Sequence, residues 1–104
     1  MSEFQPRTVK GIDRVLQDPT LHPDRLRLHI SEIAPGTSSH PPHTHEGVEA
    51  FYVLAGEGEV EIEGVKYPLK TNEAIVLNPG VLHGLTNTGA VPMRYLVVIS
   101  KEGE

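Results

Sequence analysis

Short apolar stretches with a period of two residues recur along the chain and are separated by turn-forming residues. Alternation of apolar and polar residues over about four to eight positions is typical of a β-strand with one buried face. Such stretches lie at residues 25–30 and 59–63. Residues 51–54 are apolar on both faces, and the short apolar runs 74–77 and 95–99 are predicted to be buried strands. Ten glycines and nine prolines are spread between them as turns. The pattern predicts an all-β sandwich or barrel, because closure avoids long exposed sheet edges.

The apolar face of each strand can be assigned from its alternation. In segment 25–30 the even positions are apolar, so we predict that Leu26 and Leu28 are buried and that His29 lies on the solvated face. The only helix candidate in the sequence is a weak turn over residues 11–17.

Length, charge and cysteine content exclude several classes of protein. The 104 residues suffice for a single domain over 1–104, with a core barrel at about 24–100. A net charge of −5 without a basic cluster argues against a nucleic-acid partner. No apolar run reaches the roughly 18 residues that cross a membrane, and residues 1–6 lack the features of a secretory signal, so we expect a cytoplasmic protein. The absence of cysteine excludes disulfides and thiolate ligands.

Histidines and a carboxylate gather before the strand at 51–54. His43, His45 and Glu49 have the same parity, so their side chains point to one face of an extended chain. Phe51 and Val53 continue that face as an apolar floor. Two imidazoles and a carboxylate at the mouth of an apolar interior suit a divalent transition metal.

A fourth ligand is available in the second half of the chain. His83 follows the tight turn that ends the apolar run 74–77, and this turn can place its imidazole opposite the first three ligands. We interpret His22 and His29 as ordinary polar or core residues. The role of His40 stays open, although its parity and the two prolines after it favour a position at the surface or the pocket rim.

These residues resemble the two motifs of the cupin superfamily. The first motif, G-x5-H-x-H-x3,4-E-x6-G, matches in the order Gly36, His43, His45, Glu49 and Gly56, with six residues rather than five after the first glycine. The spacing from the first histidine to the last glycine agrees throughout.

The second motif, G-x5-P-x-G-x2-H-x3-N, resembles residues 72–87. Matches in type and spacing are Gly80, His83 and Asn87. Asn72 and Asn78 stand where the family usually has glycine and proline. These differences concern turns and remove no ligand.

The resemblance implies a fold and a site. It implies a double-stranded β-helix, or jelly-roll barrel, with one divalent metal near one end of the barrel. The implied ligands are His43, His45, Glu49 and His83. The metal is iron, manganese, nickel, cobalt, copper or zinc, and the sequence does not choose among them. Small cupins commonly form homodimers, and this chain is expected to bind a small-molecule substrate or ligand.

Function is less constrained than fold. We favour a metal-dependent enzyme of the dioxygenase or decarboxylase type, acting on a small organic molecule, with Glu49 as a possible general base. A cupin-type sugar isomerase is an alternative, but a phosphate would need cations, of which Lys66, Lys70 and Arg94 are the candidates. A non-catalytic module that binds a small ligand is another alternative.

Overall fold

The fold is taken from a computed structural model that describes residues 3–39 and 46–101. Within these ranges the chain is all-β, as predicted, and no helix is long and apolar enough to cross a membrane. His40, His43 and His45 lie outside the described residues. The described strands are β1 (Gln5–Val9), β2 (Ile12–Gln17), β3 (Leu26–Ile33), β4 (Val48–Ala55), β5 (Gly58–Ile62), β6 (Val65–Leu69), β7 (Ala74–Leu77), β8 (His83–Asn87) and β9 (Met93–Ser100).

The strands form two sheets, which face each other as in a barrel, and a two-stranded hairpin. One sheet has the order β3-β9-β4-β7, the other has the order β6-β5-β8, and β1 pairs with β2. All described pairs are antiparallel. The core lies between the two sheets, where Phe51, Val53 and Met93 of the first pack with Val60 and Leu85 of the second. These side chains are the apolar halves of alternating strands, as expected for packed sheets.

The predicted strands are present, but the N-terminal prediction is wrong. The run 74–77 is strand β7 within the same bounds, but its predicted burial on both faces is wrong, since Val76 is 71% exposed. Residues 11–17, predicted as a weak helical turn, form instead the strand β2, which pairs with β1. The hairpin is favoured because Gly11 adopts a positive φ of 78°, which closes a tight turn that most other residues disfavour. Strands β6 and β8 were not predicted.

The predicted burial of β3 is also wrong. Leu26 is 52% exposed, whereas Ser31 and Ile33 are buried. Ser31 lies in register with Tyr95, which is buried as well, so the odd positions of β3 face the barrel interior. The alternation identified the more apolar face of this strand. It did not identify the inner face, because the inner face here lines a polar pocket.

Candidate metal and ligand site

Two of the predicted metal ligands meet inside the barrel. Glu49 lies near the start of β4 in one sheet, and His83 is the first residue of β8 in the other. Their exposed fractions are 4% and 1%. The Nε2 atom of His83 lies 2.9 Å from Oε1 of Glu49. His43 and His45, the other two predicted ligands, lie outside the described residues, and the described ranges hold no cluster of three or more potential ligands.

The other ring nitrogen of His83 fixes its orientation. Nδ1 lies 2.9 Å from the carbonyl oxygen of Val81, which can only accept a hydrogen bond. Nδ1 therefore carries a proton, and in the neutral ring the lone pair of Nε2 points towards Glu49. This arrangement, with one nitrogen bonded to a carbonyl and the other directed at the site, is usual for histidines that ligate metals.

The distance between these two groups suits a shared cation. Two ligands at right angles on a metal, each bonded at about 2.1 Å, are about 3.0 Å apart. The observed separation of 2.9 Å matches that edge. A buried carboxylate and a neutral imidazole at this distance need either a proton or a positive ion to offset the carboxylate charge. The donor chemistry of Glu49 and His83 therefore fits a divalent metal.

A pocket opens beside Glu49. Its volume is about 480 Å³. The apolar part of its wall is Phe51, Val97 and Ile99, and further wall positions carry hydroxyl or charged groups. A concave site with an apolar floor and a few convergent polar groups is the usual form of a small-molecule site.

Comparison with known proteins decides the family. The family model described as a cupin domain matches residues 29–99, which is more than half of the chain. The chain belongs to the cupin family. This match confirms the resemblance to cupins that the two motifs indicated, and the predicted jelly-roll fold. Proteins of this family usually bind a metal.

Individual cupins are similar over much of the chain. The oxalate-binding protein of Thermotoga maritima is 34% identical over 77 residues, which are 73% of this chain and 64% of that protein. The chain thus spans just under two thirds of that relative's length. A predicted oxalate decarboxylase from T. maritima has a TM-score of 0.71 at 25% identity, over 96% of this chain and 95% of its own. A cupin protein from Bacteroides fragilis has a TM-score of 0.76 at 22% identity, over 100% of this chain and 89% of its own, which shows the fold.

The departures from the second cupin motif preserve the turns. Asn72, in place of glycine, adopts φ 69°, a conformation that asparagine tolerates better than most residues. The Oδ1 atom of Asn78 accepts a hydrogen bond from the backbone N–H of Gly80 at 2.8 Å, which closes the turn before His83. Buried Pro79 follows Asn78 directly. The loop that carries His83 is therefore held in place without the usual proline position.

Asn87 closes a turn. Its Nδ2 group donates to the carbonyls of Ile33 and Val91 at 2.9 and 2.8 Å, and its Oδ1 accepts from the N–H of Gly89 at 2.8 Å. It is fully buried, and these hydrogen bonds leave its amide no free group for a substrate.

Tyr95 contributes a hydroxyl group to this cupin's pocket. Ser31 and Ser39 line the pocket beside it, and its ring packs edge-on against Phe51 with the centroids 6.0 Å apart. Burial raises the pKa of Tyr95, so the phenol stays protonated and can donate a hydrogen bond. Of the tyrosines in the sequence, Tyr52 and Tyr67 are 37% and 44% exposed and do not line this pocket.

His29 also lines the pocket, so its prediction as a residue of the solvated face is wrong. Burial is the main cause that lowers the pKa of His29, and the positive charges of Lys10 and Arg27 lower it further, against the opposite effect of Glu49. The imidazole is therefore neutral near pH 7. His29 has the same parity as Ser31, which indicates that both lie on one face of the strand. The apolar residues Leu26 and Leu28 made the opposite face the predicted inner face.

The cations of the pocket differ from those predicted. None of the predicted cations lines it: Lys66, Lys70 and Arg94. Lys66 lies on the sheet β6-β5-β8, where its Nζ atom is 3.7 Å from Oε1 of Glu59. Lys10 and Arg27 line it instead. Lys10 escapes prediction because the pattern of residues 11–17 suggests a helical turn, whereas these residues form a strand. Arg27 escapes prediction because the alternation of β3 assigns the inner face to the leucines.

A second cavity, of about 570 Å³, lies between the N-terminal hairpin and β3. Exposed apolar residues such as Phe4, Leu16 and Leu21 line it, together with His22. Neither Glu49 nor His83 reaches it. This cavity adjoins the pocket beside Glu49, because Lys10, Arg27, His29 and Ile99 line both, but it does not include the candidate metal end.

Proposed function

We propose that this cupin binds one divalent transition metal through His43, His45, Glu49 and His83, and that it is a metal-dependent enzyme acting on a small organic molecule. The observation that carries the proposal is the buried pair of Glu49 and His83, 2.9 Å apart, of which Glu49 lines a pocket of about 480 Å³. Burial of a carboxylate is costly unless a positive charge offsets it, and a resident cation meets that need.

The donor set favours Lewis-acid chemistry. Three neutral imidazoles and one carboxylate leave a divalent ion with a net charge near +1, so the bound metal would polarise an oxygen ligand of the substrate. The protein's own residues orient that substrate. Tyr95 offers a proton donor, Phe51 and Val97 exclude water from one wall, and Glu49 is the candidate general base.

A decarboxylase or dioxygenase is the reaction type that we propose. The decarboxylase is supported by the structural similarity to a predicted oxalate decarboxylase. A non-catalytic binding module is the second candidate, and the name of the T. maritima oxalate-binding protein favours it. The sugar isomerase, a homodimer and a cytoplasmic location stay predictions.

Gas-exchange assays test this proposal. Protein loaded with manganese, iron or zinc is incubated with a panel of 2-oxo acids and dicarboxylates while carbon dioxide release and oxygen uptake are recorded. Carbon dioxide release without oxygen uptake identifies a decarboxylase, and oxygen uptake identifies a dioxygenase. The Glu49→Gln variant is the control, since it keeps the side-chain shape and removes the charge. Binding of a panel compound without turnover supports the binding module, and an inability to bind any metal contradicts the proposal.

A further inference from the structure

Two positive side chains face the candidate metal end across the pocket. Lys10 and Arg27 line the pocket in a protein whose net charge is −5. The acidic residues of the wall are Glu49, which faces His83, and Glu32, which lies in register with Arg94 on β9. Once a metal offsets Glu49, the pocket has an excess of positive charge, which favours an anionic occupant.

The sheet register places Arg27 on the same face as Glu49. Arg27 is paired with Ile99 of β9, and Ile99 is paired with Glu49 of β4. Adjacent strands lie about 4.8 Å apart, so the Cα atoms of Arg27 and Glu49 are about 10 Å apart in one row across the sheet. A small ligand can therefore contact both ends of this row. In the next row, Val97 and Phe51 supply an apolar surface between the two ends.

The hairpin turn holds Lys10 beside this row. The backbone N–H of Ile30 on β3 donates a 2.8 Å hydrogen bond to the carbonyl of Lys10. The turn touches β3 so closely that a Cβ atom on Gly11 would lie 2.4 Å from the carbonyl oxygen of Ile30. Lys10 is therefore anchored to β3 although its side chain is exposed. Its effect on the pKa of His29 agrees with this position in the pocket.

From these placements we propose that Lys10 and Arg27 bind a carboxylate of the substrate, and that the substrate is a small dicarboxylate. One carboxylate would pair with the guanidinium and the ammonium groups, and the other would reach the end of the pocket at Glu49 and His83. Arginine suits this role because its planar fork matches a carboxylate, while lysine adds a point charge. The second contact and the net positive charge of the pocket rest on the proposed metal function, whereas the placement of Lys10 and Arg27 does not.

Calorimetric titration with malonate tests the proposal, with malonamide as the uncharged probe of the same shape. Metal-loaded wild-type protein is expected to bind malonate at least tenfold more tightly than malonamide. Lys10→Gln and Arg27→Gln should each weaken malonate binding about tenfold, since hydrogen bonds to charged groups contribute about this much. The bound metal, measured in the same samples, should not change.

Matched controls separate this proposal from the metal proposal. Lys66→Gln and Lys70→Gln remove exposed cations outside the pocket and should leave malonate binding unchanged. If both pocket variants bind malonate as tightly as the wild type while the metal is retained, the dicarboxylate proposal is wrong and the metal proposal stands. If the wild type holds no metal but the pocket variants still lose malonate binding, the anion site is supported and the metal proposal is wrong.

Discussion

Nε2 of His83 and Oε1 of Glu49, 2.9 Å apart, join the two sheets of the barrel at a buried point. On the opposite side of the ring, Nδ1 of His83 donates a hydrogen bond to the carbonyl oxygen of Val81. Rotation of the ring that brought Nδ1 towards Glu49 would break this hydrogen bond. This geometry places a carboxylate oxygen and an imidazole nitrogen at the distance of neighbouring ligands on a metal. The fold thus brings together two donors that are far apart in the sequence.

Replacement of Asn87 by Ala is expected to destabilise the protein by about 2–4 kcal/mol. The substitution removes the partners of two carbonyl groups and one N–H group at a fully buried position, and unsatisfied buried groups are costly. Urea unfolding measures the loss as a lower midpoint at an unchanged m-value.

Asn78→Ala is the matched control for Asn87. Asn78 is exposed and makes one side-chain hydrogen bond in its turn, to the N–H of Gly80. Water can replace that bond, so the expected loss is less than about 1 kcal/mol. Equal losses in the two variants would contradict the structural role assigned to Asn87.

The stability of metal-free protein should fall as pH decreases, in part because of His29. Its pKa in the folded state lies below the ordinary value of 6.5, so the unfolded chain takes up protons first as the pH falls. Stability therefore decreases through the window below about pH 6.5, and the His29 contribution is fully lost below the folded-state pKa. His29→Gln should show a shallower decrease between about pH 7.5 and pH 5 in chemical unfolding. His22→Gln, at an exposed position, is the control, and an identical pH dependence of wild type and His29→Gln would contradict the burial of this imidazole.

Two glycines in hairpin turns should respond differently to alanine. Gly11 and Gly64 have φ values of 78° and 84°, so each substitution strains the backbone by about 1–2 kcal/mol. A Cβ at Gly64 meets nothing within 4 Å, whereas one at Gly11 would collide with Ile30. Gly11→Ala should therefore also displace the Lys10 turn from β3.

Amide hydrogen exchange reports that displacement. The N–H of Ile30 bonds to the carbonyl of Lys10, and its exchange should accelerate about tenfold or more in Gly11→Ala. In Gly64→Ala it should exchange as in the wild type. Unchanged protection of Ile30 in both variants would show that the turn does not rest on β3 as described.

Part of this fold is predictable because alternate residues of β4 lie on the buried face, as the sequence parity predicts. Glu49, Phe51 and Val53 share one face, and all three are buried. The same rule fails for β3, because the face that carries His29 and Ser31 lines a polar pocket and is not more apolar than its opposite. Periodicity identifies the apolar face of a strand, and it identifies the inner face only where the interior is apolar.

The cations of the pocket could not be predicted for a different reason. Lys10 reaches the pocket through a hairpin that is set by the Gly11 turn and by one backbone bond to Ile30, and these contacts leave no pattern in the sequence. The metal ligands are more accessible to sequence analysis because His43, His45 and Glu49 are close together in the sequence and share one parity. Glu49 and His83 are in the described residues and lie together, while the other two remain predictions.

Equilibrium dialysis of manganese, iron and zinc against wild type, His45→Ala, His83→Ala and His22→Ala tests the central claim most directly. Wild type and His22→Ala should each retain about one equivalent of metal. Loss of one of four ligands should weaken affinity about a hundredfold, since a complete set contributes about 10–16 kcal/mol. His45→Ala and His83→Ala should therefore need a free metal concentration about a hundredfold higher than the wild type for half-saturation. Equal retention in all four proteins would contradict the assignment of the site.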